Sequence, residues 1–106
     1  MAGKKVYIAG KISGLTREEA VTKFERAAVQ LKAQGYETFV PTALPSYDDV
    51  PHENYMHVCY AMIDICDTIF MLKDWQDSKG ARLERKYAFD GDKQIVYEDL
   101  ATKEDF

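Results

Sequence analysis

Two short apolar runs constrain the fold of this chain most strongly. Residues 5–9 (KVYIA) and residues 68–72 (TIFML) are apolar at every position except the first. They lack the polar–apolar alternation of a strand that has one face in water. Such runs are typical of parallel strands covered by helices on both faces. They therefore predict the centre of an α/β sheet.

Helical patterns alternate with these strands. Thr16 and Glu19 have the spacing of a capping box, and apolar residues then recur every three or four positions as far as Leu31. Gly35 is placed to end this helix. The other predicted elements are a strand over 36–40, a helical stripe over 55–66, a helix over about 79–89 that ends at Gly91, and a strand over 94–97.

This alternation predicts a parallel sheet with helices on both faces. Right-handed crossovers in so short a chain favour the strand order 2-1-3-4. We therefore expect an α/β fold, a flavodoxin-like (Rossmann-like) three-layer sandwich with a mostly parallel sheet. Residues 1–98 form the single predicted domain, and residues 99–106 an acidic C-terminal tail. Ligands of such sheets bind at the carboxyl ends of the strands where the order reverses, here the first and third.

Composition argues against several classes of function. The net charge of −4 is unlike that of a surface for a nucleic acid polymer. We find no apolar run that would cross a membrane and no signal-like N-terminus, so we expect a cytoplasmic protein. Cys59 and Cys66 are spaced as two buried thiols on one helix face, which suits a reducing compartment. His52 and His57 are not spaced like the histidines of a helical metal site, and we expect neither a metal nor another cofactor.

Two loops that contain glycine fall at the predicted ligand edge. Residues 10–16 follow the first strand, and residues 73–80 follow the third. Gly10 allows a ligand to approach the backbone closely, and Lys11 and Ser13 in the same loop are candidate substrate contacts. The length of a further segment, residues 41–54, suggests a lid over the site.

The start of the third predicted helix is a candidate anion site. Ser78, Gly80 and Ala81 lie where free N–H groups and the helix dipole attract a phosphate or a carboxylate. An ordinary N-cap would also account for Ser78, and the two roles are compatible.

Three other side chains are candidates for a role in catalysis or substrate binding, and each also has an ordinary structural interpretation. Glu84 borders the buried stripe of the third helix and is a candidate catalytic carboxylate, although most helical glutamates lie in solvent. Tyr7 is either a core tyrosine or a group that orients Glu84. Trp75 is either a hydrophobic anchor or a surface on which a base stacks.

Three segments carry a family resemblance. YIAGKISG, CDTIFML and WQDSKGARLERKYA resemble the nucleoside 2-deoxyribosyltransferase-like superfamily, and most of all a branch of short bacterial and phage proteins of unassigned function. The resemblance implies a flavodoxin-like fold, a homodimer or larger homo-oligomer with shared sites, and a small-molecule nucleoside or nucleotide as partner.

The resemblance also implies roles for individual residues. Glu84 matches the glutamate that attacks C1′ and forms a covalent glycosyl–enzyme, and Tyr7 matches the tyrosine that orients it. Ser78 stands where relatives that hydrolyse nucleoside 5′-monophosphates have a phosphate-binding serine and base-exchanging transferases have an aspartate. The implied function is an N-glycosidase that cleaves or exchanges the base of a (deoxy)nucleoside 5′-monophosphate.

Two departures favour an alternative. Cys59 stands where the family has an aspartate that donates a proton or binds the sugar, and Asp64 lies on another helix face. Trp75 replaces a small residue. The alternative is a non-catalytic nucleotide-binding or nucleotide-sensing module on the same fold, and a ligand-free interaction domain ranks below both.

Overall fold

The computed structural model describes residues 4–44 and 50–98. Within these ranges four strands and three α-helices alternate, and short 3₁₀ turns follow β2 and β3. The elements are β1 (Lys5–Ala9), α1 (Arg17–Ala33), β2 (Glu37–Phe39), a 3₁₀ turn (Pro41–Ala43), α2 (His52–Ile65), β3 (Thr68–Met71), a 3₁₀ turn (Trp75–Asp77), α3 (Lys79–Asp90) and β4 (Gln94–Tyr97).

The four strands form one parallel sheet in the order β2-β1-β3-β4. The predicted strand order is therefore confirmed. β1 and β3 are its central pair, with Tyr7 opposite Ile69. Every residue of β3 is buried, as is every residue of β1 after Lys5. The two apolar runs thus occupy the part of the sheet covered on both faces.

Helices cover the two faces of the sheet in three layers. On one face Phe24 and Leu31 of α1 pack against Ile8 and Phe70. On the other face α2 and α3 pack against a second cluster that contains Tyr7 and Met71. Each large apolar side chain buried in this way stabilises the fold by about 1.5–3 kcal/mol. The three-layer prediction is confirmed.

Side-chain caps define where α1 and α3 begin. The Thr16 hydroxyl accepts a hydrogen bond from the Glu19 N–H, and the Glu19 carboxylate accepts one from the Thr16 N–H, as the capping-box spacing predicts. The Ser78 hydroxyl accepts from the Ala81 N–H at 3.1 Å. Gly35, just past α1, has φ +97, a conformation in which glycine has no side-chain penalty.

The segment between β2 and α2 differs from the prediction. α2 starts at His52, three residues before the predicted apolar stripe begins. Polar residues fill its first turn after Pro51, so the apolar pattern does not mark the true start of the helix. Residues 41–43 form a 3₁₀ turn and residues 52–54 belong to α2, so both ends of the predicted loop 41–54 have regular structure. Residues 45–49 of the predicted lid and the tail 99–106 lie outside the described residues. No helix in the described ranges has both the length and the apolar character needed to cross a membrane.

Candidate functional site

A cavity of about 580 Å³ opens at the carboxyl edge of the sheet, between the loop after β1 and the facing helices α2 and α3. We call it the Glu84 cavity. It lies at the strand-order reversal, where the topology predicts a ligand. The predicted site residues that line it are Gly10, Ser13, Ser78, Gly80, Ala81 and Glu84.

Glu84 is buried in the wall of this cavity. It belongs to the second turn of α3 and is 5% exposed, and among the described residues no other charged side chain is buried. Burial raises the pKa of its carboxyl from 4.5 to about 7, because a charge loses solvation there, and hydrogen bonds from Tyr7 and Cys59 oppose that rise. Near neutral pH the carboxylate and the carboxylic acid are therefore both populated.

Tyr7 holds the Glu84 carboxyl group directly. Its hydroxyl donates a hydrogen bond to Glu84 Oε2 at 2.7 Å, and its side chain is fully buried beneath α2 and α3. Burial and the neighbouring Glu84 carboxylate hold the pKa of Tyr7 well above its usual value. The phenol therefore stays protonated and serves as a donor over the whole neutral range.

Cys59 is the third member of this buried group. It lies on α2, is 5% exposed, and its thiol donates toward the Glu84 carboxylate. Burial and the Glu84 charge raise the pKa of the thiol to about 12. Cys59 therefore supports Glu84 as a weak donor but is a very poor source of a transferable proton. Asp64 is exposed, accepts a hydrogen bond from the Tyr87 hydroxyl at 2.8 Å, and does not line the cavity.

Two predicted substrate contacts lie outside the described lining of the Glu84 cavity. The Lys11 N–H donates to Asp74 Oδ1 at 3.1 Å, and the Lys11 carbonyl accepts from Lys23. The Trp75 ring packs under the Arg85 guanidinium, at 5.2 Å, and beside the Tyr97 ring, at 5.7 Å.

Comparison with known proteins identifies the family. The profile of the family described as "Domain of unknown function (DUF4406)" matches residues 4–97. The chain belongs to this family. No curated protein matches this DUF4406 domain.

Two solved structures share its fold. A 2-desoxiribosyltransferase from Leishmania mexicana has 20% identity and a TM-score of 0.67, over 89% of this chain and 63% of that chain. A CMP N-glycosidase from Clostridium botulinum has 18% identity and a TM-score of 0.62, over 89% of this chain and 70% of that chain. The DUF4406 domain thus spans less than two thirds of the Leishmania protein. The fold that the sequence resemblance implied is confirmed.

Several side chains that the sequence did not single out also line the cavity of this DUF4406 domain. Arg17 donates through Nη2 to the Thr42 carbonyl at 2.7 Å, and both residues belong to the lining. His52, the first residue of α2, lines it too. The strand order contained a signal for Thr42, because the segment after β2 reaches the same carboxyl edge. His52 was hidden because its segment was assigned to a loop.

The site offers no cluster for a metal ion. Across residues 4–44 and 50–98, no three His, Cys, Asp or Glu side chains come close enough together to hold one. The described cavity offers one buried carboxyl group, a phenol and a thiol that hydrogen-bond to it, and polar or cationic side chains in the lining.

Proposed function

We propose that this DUF4406 domain is an N-glycosidase that cleaves or exchanges the base of a (deoxy)nucleoside 5′-monophosphate, with Glu84 as its nucleophile. The observation that carries the proposal is a carboxyl group buried in a cavity wall and held by the Tyr7 hydroxyl at 2.7 Å. A carboxyl group kept in that environment has an unfavourable free energy when charged. Carboxyl groups with a perturbed pKa cluster at functional sites.

The chemistry follows from this placement. A carboxylate that attacks C1′ forms a glycosyl ester and displaces the base, and water then releases the sugar. The low-dielectric wall strengthens the attraction between the Glu84 carboxylate and the positive charge that develops on the sugar in the transition state. Tyr7 fixes one carboxyl oxygen, which limits rotation of the nucleophile.

The lining of the cavity supports a phosphate on the substrate. Ser78 and Gly80 lie at the start of α3, and the cationic side chain of Arg17 lines the same cavity. The Ser78 hydroxyl accepts one hydrogen bond from Ala81, which leaves its own hydrogen available to a phosphate oxygen. The cap and the anion contact are therefore compatible. One structural neighbour is a CMP N-glycosidase, which supports a nucleoside monophosphate as substrate.

The test is chromatography of free base after incubation with ribo- and deoxynucleoside 5′-monophosphates and the corresponding nucleosides. We expect base release from at least one monophosphate and none from Glu84→Gln, which keeps the size of the side chain. Glu25→Gln, on the exposed side of α1, is the matched control and should release base like the native protein. Equal release by native protein and Glu84→Gln would refute the assignment of Glu84.

One observation favours a second candidate, a nucleotide-binding or nucleotide-sensing module without turnover. Cys59 contacts Glu84 with a thiol whose pKa is about 12, so a strong acid is absent from that place. This candidate predicts a higher melting temperature with nucleotide and no released base. A protein that no nucleotide stabilises would contradict it.

A further inference from the structure

We propose that His52 donates the proton to the departing base. The inference rests on the proposed function and deepens it. A base that leaves C1′ carries away the electron pair of the glycosidic bond and has to be protonated. Cys59, which lies beside Glu84, is too weak an acid for this task because the pKa of its thiol is about 12.

His52 lies close to the start of α3. Its Nε2 and Cε1 atoms are 3.5 and 3.6 Å from the position that a Cβ atom on Gly80 would occupy. The Met56 Sδ atom, one turn further along α2, is 3.6 Å from the same position. The absence of a side chain at Gly80 thus leaves the imidazole beside the backbone of α3, within the lining of the Glu84 cavity.

The register along α3 places Gly80, and with it His52, on the same helix face as the nucleophile. Gly80 precedes Glu84 by four residues, so both lie on one face of α3, with about 6 Å between them along the helix axis. His52 lies beside the Gly80 end of this row, and Cys59 hydrogen-bonds the Glu84 carboxyl group at the other end. The imidazole and the Glu84 carboxyl group therefore lie along one face of α3 and line the same cavity.

The chemistry of the other lining groups leaves imidazole as the best donor. In the lining, the Arg17 guanidinium donates to the Thr42 carbonyl, and the Ser78 hydroxyl caps its own helix. Tyr7 is committed to Glu84, and Asp64 is bound to Tyr87 outside the cavity. Imidazole exchanges protons near neutral pH and is the side chain that most often acts as a general acid.

The proposed step balances as follows. A Glu84 oxygen forms a bond to C1′ while the bond from C1′ to the base nitrogen breaks, and the electron pair of that bond stays on the base. The base takes the proton of the His52 imidazolium and leaves neutral. Water then attacks C1′, the bond to Glu84 breaks, and the proton of the water returns to His52. No oxidant, reductant or metal takes part.

The test is the steady-state rate of base release by His52→Ala, with and without added imidazole. We expect kcat to fall by about 10²–10⁴-fold, with a much smaller change in KM. Free imidazole should restore at least a tenth of the lost rate, because it can occupy the vacated volume and donate the same proton. A contact that only binds phosphate would instead raise KM and would not respond to imidazole.

His57→Ala is the matched control, since His57 lies on the same helix, is exposed and does not line the cavity. It should retain the native kcat, and added imidazole should not change its rate of base release. The inference is overturned if His52→Ala keeps the native kcat, or if the folded variant loses activity that imidazole does not restore. Neither result affects the proposed function, which the Glu84→Gln variant tests separately. Absence of base release by the native protein would overturn both.

Discussion

The Tyr7 hydroxyl donates a 2.7 Å hydrogen bond to Glu84 Oε2 across 77 positions of sequence. Both groups are buried, and Cys59 contacts the same carboxyl group from a third element. The hydrogen bonds from Tyr7 and Cys59 lower the pKa of Glu84, and burial outweighs them. The balance places the carboxyl group near the midpoint of its titration at neutral pH.

Glu84→Gln should stabilise the fold at alkaline pH. Burial raises the pKa of Glu84 from 4.5 to about 7, so the folded state binds a proton more tightly than the unfolded state. The resulting stabilisation is complete below pH 4.5 and is lost as the pH rises through about 7. At pH 8 the native carboxylate costs about 1–3 kcal/mol, which the neutral amide avoids. Urea unfolding at pH 8 and pH 5 should show a gain that shrinks at the lower pH.

Glu25→Gln controls for the charge change in that experiment, because its exposed side chain should alter the free energy of unfolding by less than about 0.5 kcal/mol. A Glu84→Gln variant less stable than the native protein at pH 8 would show that the Glu84 carboxylate is better solvated than its burial implies.

Tyr7→Phe should raise the pKa of Glu84 further. The phenol donates to Oε2 and lowers that pKa, so its removal leaves burial less opposed. We expect an upward shift of about 1 unit in the carboxyl titration, seen by carbon-13 NMR of labelled glutamate. In an active protein, the acid limb of the pH–kcat profile should move by the same amount.

Tyr97→Phe is the control for loss of a phenol. The Tyr97 hydroxyl bonds Arg85 at 2.6 Å instead of Glu84. Its removal should leave the Glu84 titration in place, and equal shifts in both variants would mean that a general change in the fold is responsible.

The two thiols should resist modification in the folded protein. Burial is the main reason that the pKa values of Cys59 and Cys66 rise, to about 12 and 11, so little reactive thiolate forms at pH 8. Both cysteines are free. We expect the aromatic disulfide reagent DTNB to react over hours in buffer and within seconds in denaturant. Rapid reaction of either thiol without denaturant would contradict its burial.

Asp74→Asn should loosen the loop after β1. Asp74 accepts from the Lys11 N–H and pairs with Lys23 at 2.6 Å, and Lys23 also bonds the Lys11 carbonyl. Loss of the charge should cost about 1–2 kcal/mol of unfolding free energy and speed hydrogen exchange at Lys11. Asp90→Asn breaks the exposed pair between Lys86 and Asp90, and it should cost less than about 0.5 kcal/mol. Equal costs would contradict a special role for Asp74.

Alanine at two glycines should have opposite effects. A Cβ atom at Gly10 would lie 2.7 Å from Leu72 Cδ1 and 3.0 Å from Leu72 Cβ, so Gly10→Ala should destabilise the fold by about 1–3 kcal/mol. At Gly80 the nearest atom is His52 Nε2 at 3.5 Å, an ordinary contact. Gly80→Ala should therefore stabilise α3 by up to about 1 kcal/mol. Melting temperatures of the two variants measure both effects, and destabilisation by Gly80→Ala would show that the helices pack more tightly there.

The sheet was predictable because its signals are local. The apolar runs that contain Tyr7 and Ile69 predict strands buried on both faces. The Thr16 cap predicts the start of α1 without any tertiary information. Chain length and crossover handedness then left few strand orders. The ends of elements were less accurate, as at His52, because an uncapped helix start after Pro51 carries a weak signal.

The site was predictable only in part. Loop glycines and the start of α3 indicated the edge of the sheet at which the Glu84 cavity opens, and Glu84 bordered a buried stripe. Contacts between helices have no sequence signature, so the meeting of Cys59 with Glu84, or of His52 with Gly80, required the packing of α2 on α3. The packing of Trp75 could not be predicted for the same reason, because its partners Arg85 and Tyr97 come from later elements.

The strand order makes the buried carboxyl group dependent on nearly the whole chain. Tyr7 comes from the first strand, Cys59 from the second helix and Glu84 from the third helix, and α1, β2 and α2 lie between the paired strands β1 and β3 in the sequence. A nascent or cleaved chain that lacks any one of these segments has no enclosed Glu84. The raised pKa of Glu84 therefore requires that all three segments are folded around it. A fall of that pKa toward its ordinary value would report partial unfolding.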